Sequence, residues 1–278
     1  MKIDIGKQGK VIIADNMDKI WGIPSLDNES IALTFTSPPY WNYINYEGGN
    51  GVGNKESCYE DYLNSLGLLF STIEKKTIIG GRMVVNVFNM KSRKSIEGKS
   101  FIYPLVHDTV NCAKKAGWIF FDEIIWDKRM GTTGALNGKV LFGSYPYPPT
   151  PKILDAIFEN IIVFTKKGKR PKVCQEIKDK SRLTKEEWKD FTRGIWGIKT
   201  DSDPRHPATF PIELAERIVR IYSFVGDIVL DPFAGTGTTV IASELWNRKG
   251  IGFEISKAYQ ESIKERADKC LNRQLSLL

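Results

Sequence analysis

The chain has 278 residues, 41% hydrophobic and 26% charged, the balance of an ordinary globular protein built as one large domain or two small ones. No apolar run approaches the ~18 residues of a membrane span, and the opening MKIDIGKQGKVIIADN has no apolar signal-peptide core. The net charge of +7 is matched by one segment, 166–199, which carries twelve Lys/Arg against five Asp/Glu and points to a polyanionic partner.

In chain order, short β-branched runs alternate with amphipathic stretches, which predicts an α/β fold with a largely parallel sheet. Strands are expected at 10–14, 31–35, 82–88, 118–126, 160–165, 227–230 and 250–254. Helices are expected at 60–74, 101–115, 212–224, 238–246 and 257–271. Two connections stand out: the glycine-rich 45–54, expected to act as a lid, and 131–151, rich in Gly and Pro and too long for a hairpin turn. Between 165 and 204 strand periodicity fades while the basic excess peaks, so this stretch reads as an inserted lobe. Cys58, Cys112, Cys174 and Cys270 are widely spaced and form no CxxC pair. With only His107 and His206 besides, no metal site is expected, and the free thiols fit a reducing cytoplasm.

The stretch DIVLDPFAGTGTTVIASEL, 227–245, runs a strand through a Gly-x-Gly turn into a helix. Such a turn lets a ligand approach the backbone because no Cβ intervenes. No Gly-Lys-Ser/Thr follows, so it is no phosphate loop. About 20 residues on, Glu254 ends the next strand, where a carboxylate accepts hydrogen bonds from ribose hydroxyls. Together they read as a nucleoside site without pyrophosphate contacts, and S-adenosylmethionine is a ligand of that kind.

TFTSPPYWNY, 34–43, closes an apolar strand with two prolines. Neither proline has an N–H, and the residue before each is held extended. Pro38 is thereby restrained, with its carbonyl free to face a pocket at the C-terminal edge of the sheet, where open α/β sheets bind ligands. The Ser37 hydroxyl and the Pro38 carbonyl together offer two acceptors for an exocyclic amine, and Tyr40 offers an aromatic wall for an extruded base. Trp41 has two readings, packing beneath the pocket or contact with DNA.

With these motifs, the chain resembles the amino-methylating DNA methyltransferases, which modify cytosine N4 or adenine N6. TSPPYW is similar to the catalytic motif and LDPFAGTGTT to the cofactor motif; the first precedes the second, as in the circularly permuted beta group. HPATFPIELAERIVRIYS resembles the segment that helps bind the methionine portion, VIIADNMDKI the strand whose terminal acid meets the cofactor adenine, and GSYPYPPTPKILDAIFENIIVFTKKGK the segment before the target-recognition region.

The resemblance implies a Rossmann-like S-adenosylmethionine-dependent methyltransferase fold: a mostly parallel seven-stranded sheet with one antiparallel hairpin, circularly permuted. Residues 1–165 would carry the catalytic part, 166–203 the basic target-recognition insertion and 204–278 the cofactor-binding part. Ser37, Pro38, Pro39 and Tyr40 would form the catalytic pocket. Asp15, Thr36, His206, Pro207, Asp231, Pro232, Phe233, Ala234, Gly235, Gly237, Thr238 and Glu254 would bind the cofactor. Lys166, Lys167, Lys169, Arg170 and Lys172 would contact phosphates. Double-stranded DNA is the implied partner, with a homodimer and a cognate restriction endonuclease as open expectations. Ser37, where adenine-specific members mostly carry Asp, favours N4-cytosine, and N6-adenine is the alternative. C5 methylation needs a nucleophilic thiol, usually in a Pro-Cys pair, and no cysteine here follows a proline. A protein-amide methyltransferase and an inactive nucleic-acid-binding relative are the readings that motif order, basic charge and intact motifs count against.

Overall fold

The computed structural model describes residues 1–41, 51–53, 56, 58–92, 98, 101–128, 158–200 and 210–275. Its elements are β1 (Lys2–Ile5), β2 (Gly9–Ile13), β3 (Ile31–Thr36), α1 (Tyr59–Lys76), β4 (Thr77–Val87), β5 (Met90–Lys91), β6 (Ile102–Tyr103), α2 (Leu105–Lys115), β7 (Ile119–Asp127), β8 (Phe158–Thr165), α3 (Gln175–Lys180), α4 (Lys185–Phe191), β9 (Ile195–Gly197), α5 (Ile212–Tyr222), β10 (Ile228–Asp231), α6 (Thr238–Leu245), β11 (Lys249–Glu254) and α7 (Gln260–Leu275). The 101–115 stretch splits at Pro104, which leaves Ile102 and Tyr103 to pair with Met90 and Lys91 before the helix begins.

Nine strands among the described residues form one sheet, ordered β1-β2-β11-β10-β3-β4-β8-β7-β9. The expectation was seven, and those seven are its centre. From β2 to β4 the pairs are parallel, and β8 lies antiparallel between β4 and β7. The two added strands are short edge pieces: β1 folds back on β2, and β9 pairs with Ile125–Asp127 of β7. The permutation is visible in the pairing, since β2 from the start of the chain continues the sheet beyond β11 from its end.

β3, sequence IALTFT, is buried along its whole length because helices cover both faces. Ile31 joins one core, with Tyr62, Leu66 and Phe70 of α1, and Leu33 and Phe35 the other, with Leu214 and Ile218 of α5, because the pairing with β4 shifts between Ile31 and Leu33 and interrupts the alternation. α5 buries Leu214, Ala215, Ile218 and Val219, a single apolar stripe at helical spacing. Because β3, β4, β10 and β11 are parallel, their C-terminal ends bring Ser37, Val87, Asp231 and Glu254 to the same edge. No helix among the described residues is long and apolar enough to cross a membrane.

Segment 166–200 stays tied to this body. β9 belongs to the main sheet, and α4 is fastened to α5 by Asp190 with Arg217 (2.9 Å) and Glu187 with Arg220 (2.7 Å).

Candidate active site

At the C-terminal edge of the parallel strands a cleft is lined by residues from three separate stretches of chain: Ala14, Asp15 and Asn16; Ser37, Pro39 and Tyr40; and Pro232, Phe233, Gly235, Phe253, Glu254, Ile255 and Tyr259. Gly51, Val52 and Phe210 complete the wall.

The turn after β10 is built on positive backbone angles, Gly235 at φ +50° and Gly237 at φ +80°, which side chains disfavour. Gly237 starts α6 as a left-handed N-cap, and its Cα faces Ile263 and Ile241, so its role is to shape the turn. Gly235 lines the cleft, and its N–H donates to Glu254 Oε2 at 2.8 Å. The other Glu254 oxygen accepts from Ser256 N at 2.8 Å. A carboxylate has about four acceptor positions, so two remain for a ligand. Burial, only partly offset by these bonds, raises the Glu254 pKa to about 7.

Asp231 is 1% exposed and does not line the cleft. Its Oδ1 accepts from Thr36 Oγ1 at 2.8 Å and Phe233 N at 3.1 Å. Burial raises its pKa to about 6 against the pull of these donors. Asp231 and Thr36 therefore hold the site from behind. Ala234 and Thr238 are likewise buried in the turn and helix start, away from the lining. Asp15 lines the cleft while its Oδ1 accepts from Met17 N at 2.9 Å. His206 and Pro207 lie outside the described residues; Phe210, just beyond them, packs on Phe35 with ring centres 4.8 Å apart and faces the cleft. Most of 45–54 and all of 131–151 also lie outside, but Gly51 and Val52 face the cleft and Gly53 lies over Pro39.

In the Ser-Pro-Pro-Tyr turn, Ser37 Oγ donates to the Asn86 carbonyl at 3.0 Å and lies 3.3 Å from the Tyr40 hydroxyl. With its proton committed to Asn86, the Ser37 oxygen presents a lone pair to the pocket. Tyr62 donates to the Pro39 carbonyl at 2.9 Å and fixes the turn from below. Tyr40 packs against Phe88 with ring centres 4.4 Å apart and the planes tilted by 50°. Trp41 is resolved as packing: it is buried, its Nε1 donates to the Glu56 carbonyl at 3.2 Å, and its ring meets Tyr59 and Tyr103.

Two contributors escaped the sequence reading. Asn16 Nδ2 donates to the Pro232 carbonyl at 3.0 Å, joining the Asp15 loop to the Asp231 turn. Asn86 supplies the acceptor for Ser37, and its own side chain bonds Glu159, which pairs with Lys128. The only sequence signal was their position, one residue beyond Asp15 and inside the strand next to β3.

The basic run requires a correction. Thr165 pairs with Arg82 at the start of β4, so residues 166–172 leave the sheet at its N-terminal edge, opposite Ser37. Lys166 Nζ donates to the carbonyls of Thr77 (2.9 Å) and Glu74 (3.0 Å), and Arg170 holds Asp227 with both oxygens within 2.8 Å. These two cations are spent inside the fold. Lys167, Lys169 and Lys172 are exposed at the same far edge.

The described lining of the cleft contains two carboxylates and no Lys or Arg. That donor set suits an adenosine without phosphates whose tail carries a positive sulfonium, and gives a phosphorylated nucleotide no counter-charge. S-adenosylmethionine fits: Asp15 and Glu254 would take its adenosine, between the apolar walls of Phe233, Ile255 and Tyr259.

A family model described as DNA methylase, the N6/N4 methyltransferases, matches residues 31–265. The type II methyltransferase M.MjaI of Methanocaldococcus jannaschii is 29% identical, the alignment covering 96% of this chain and 93% of the relative. The Thermus thermophilus protein TTHA0409, solved in complex with S-adenosyl-L-methionine, is 34% identical and superposes with a TM-score of 0.74 over 94% of this chain and 93% of that one. The cytosine-N4-specific PvuII DNA methyltransferase shares the fold at a TM-score of 0.65 and 20% identity, over 98% and 97% of the two chains.

Proposed function

Since this chain belongs to the DNA methylase family of N6/N4 methyltransferases, we propose that it methylates the exocyclic N4 amine of a cytosine turned out of duplex DNA, with S-adenosyl-L-methionine as cofactor. The observation that carries the reading is Ser37: a hydroxyl whose proton is held by Asn86, beside a restrained Pro38 carbonyl and the Tyr40 ring, at the mouth of a cleft suited to that cofactor.

When bound, S-adenosylmethionine supplies an electrophilic methyl on sulfur. The rest is positioning by the protein. Ser37 Oγ and the Pro38 carbonyl accept the two amine hydrogens, which turns the nitrogen lone pair out of conjugation and toward the cofactor side of the cleft. Tyr40, braced by Phe88, supports the base ring once it has left the stack. Among the described residues no donor reaches the Pro38 carbonyl, so it is available for this task. The Asp231–Thr36 bond and the Asn16–Pro232 bond keep the cofactor turn and the catalytic strand in register.

A neutral Ser37 favours cytosine over adenine by family pattern, and both bases present an amine beside a ring nitrogen. The type II naming of M.MjaI supports a place in a restriction–modification pair with a cognate endonuclease. A homodimer and the division into 1–165, 166–203 and 204–278 remain expectations of the family resemblance. The test is incubation with cofactor and genomic DNA, digestion to nucleosides and mass spectrometry. N4-methylcytosine is expected. N6-methyladenine would replace the cytosine assignment, and no methylated nucleoside from any DNA would overturn the reading.

A further inference from the structure

At the edge of the sheet opposite Ser37 lies a second, wider groove of about 1030 Å³ between the N-terminal half of β4, the α3–α4 lobe and the end of α5. None of its lining residues is acidic. Arg170 and Arg220 in its wall are balanced by Asp227 and Glu187. Arg82, Lys178, Arg182 and Lys185 have no carboxylate partner among the described residues, and the last three are exposed. Trp188, 59% exposed, stands on the same wall as a flat surface beside the cations. Uncompensated Lys and Arg interleaved with an accessible aromatic form a surface for a phosphate backbone.

The position of the groove restricts which backbone it takes. α5 runs from Ile212, near Phe210 in the catalytic cleft, to Tyr222 in the groove, eleven residues in all. At 1.5 Å per residue the two sites stand ~16 Å apart along that helix and on opposite ends of the sheet. DNA is stiff over ~150 bp, so a short duplex presenting its base at Ser37 does not bend round to the other end. We propose that this groove binds the phosphate backbone of a second duplex DNA segment, distinct from the one being methylated, and holds the enzyme on long DNA between target encounters. The proposal rests on the reading of the chain as a DNA-acting enzyme.

The test compares the full-length chain with the variant K178E/R182E/K185E. The binding probe is a linear duplex several times longer than the ~150 bp persistence length, and the activity probe is a target duplex of about 20 bp. On the long duplex the variant should bind at least about tenfold more weakly, with the slope of log K against log salt reduced by about 2 to 3. Turnover on the short duplex should stay within about twofold of the parent. Unchanged affinity and slope on the long duplex overturn the proposal. So does a parallel loss of short-duplex turnover, which would place the groove on the methylated segment. Should the charge reversals unfold the chain, K178Q/R182Q/K185Q runs the same comparison. Absence of methyl transfer by the parent would defeat the enzymatic reading by itself and leave the binding comparison to decide the groove.

Discussion

Thr36 Oγ1 donates to Asp231 Oδ1 at 2.8 Å across 195 positions of sequence. Thr36 precedes Ser37, and Asp231 opens the Gly235–Gly237 turn, so this bond, together with the β3–β10 pairing, ties the two sides of the cleft to each other. Asp231→Ala leaves the Thr36 hydroxyl and the Phe233 N–H buried without their acceptor, at ~1–3 kcal/mol each. The melting temperature should fall by several degrees, and cofactor affinity measured by calorimetry should fall with it. Unchanged affinity in a folded variant would remove Asp231 from the supporting frame.

The same carboxylate gives a pH signature. Its folded pKa, about 6, lies above the ordinary 3.8. The stability it contributes is therefore complete below the unfolded value and declines as pH rises through about 6. At 1.36 kcal/mol per unit the swing is about 3 kcal/mol. Asp231→Asn, which cannot ionise, should flatten the stability profile between pH 4 and 7 in denaturant titrations. A profile as steep as the parent's would show that other groups cause the slope.

Glu254 should make cofactor binding pH-dependent. With its pKa raised to about 7 by burial, it is largely protonated at pH 6 and ionised at pH 8. The ionised form is the better acceptor for ribose hydroxyls and the better counter-charge for a sulfonium, so affinity should rise through neutrality. Glu254→Gln should bind about tenfold or more weakly at pH 8, in line with a charge-assisted bond worth ~1.5–3 kcal/mol, and should lose the pH dependence. Isothermal titration at both pH values decides it.

Ser37→Ala and Tyr40→Ala should separate chemistry from cofactor binding. Ser37→Ala removes one of the two amine acceptors and should lower kcat by about 10²–10³-fold, the scale of losing one positioned hydrogen bond in a transition state. Tyr40→Ala removes the ring packed against Phe88 and should raise KM for DNA as well. Cofactor Kd should move little in either; an equal loss of cofactor affinity would show that the turn had collapsed.

Lys166 gives the contrasting case. Its ammonium satisfies two backbone carbonyls at the junction of α1 and β4, and its side chain is 12% exposed. Lys166→Met should cost ~1–3 kcal/mol of stability while DNA affinity stays within about twofold. The opposite pattern, an intact melting curve with weakened DNA binding, would return Lys166 to the DNA-contact surface.

Periodicity made the central sheet legible, because its seven strands carry buried apolar runs, even β10 at four residues. β1 and β9 were not, since β1 alternates Lys2 and Asp4 with its isoleucines and β9 has three residues. That Ser37 and Glu254 line one cleft was legible because proline, glycine and a strand-end acid have local consequences. Asn16 and Asn86 were not, since each acts through a single bond to residues distant in the chain. The basic run was legible as charge and not as placement: composition reports how many cations a segment has, while the antiparallel setting of β8 decides to which end of the sheet they go. Trp41 became assignable only when Tyr59 and Tyr103 were seen around it.

The pairing of β2 with β11 bears on how the protein comes into being. During synthesis the Ser37 turn emerges early, and its sheet neighbour β10 and the Glu254 strand emerge last. Asn16 and Pro232 must meet across 216 residues, a closure that sets the folding rate more than the final stability. The nascent chain therefore carries Asp15 and the Ser37 turn before the Gly235 turn and Glu254 exist, and the cleft is completed only when β10 and β11 slot between β2 and β3.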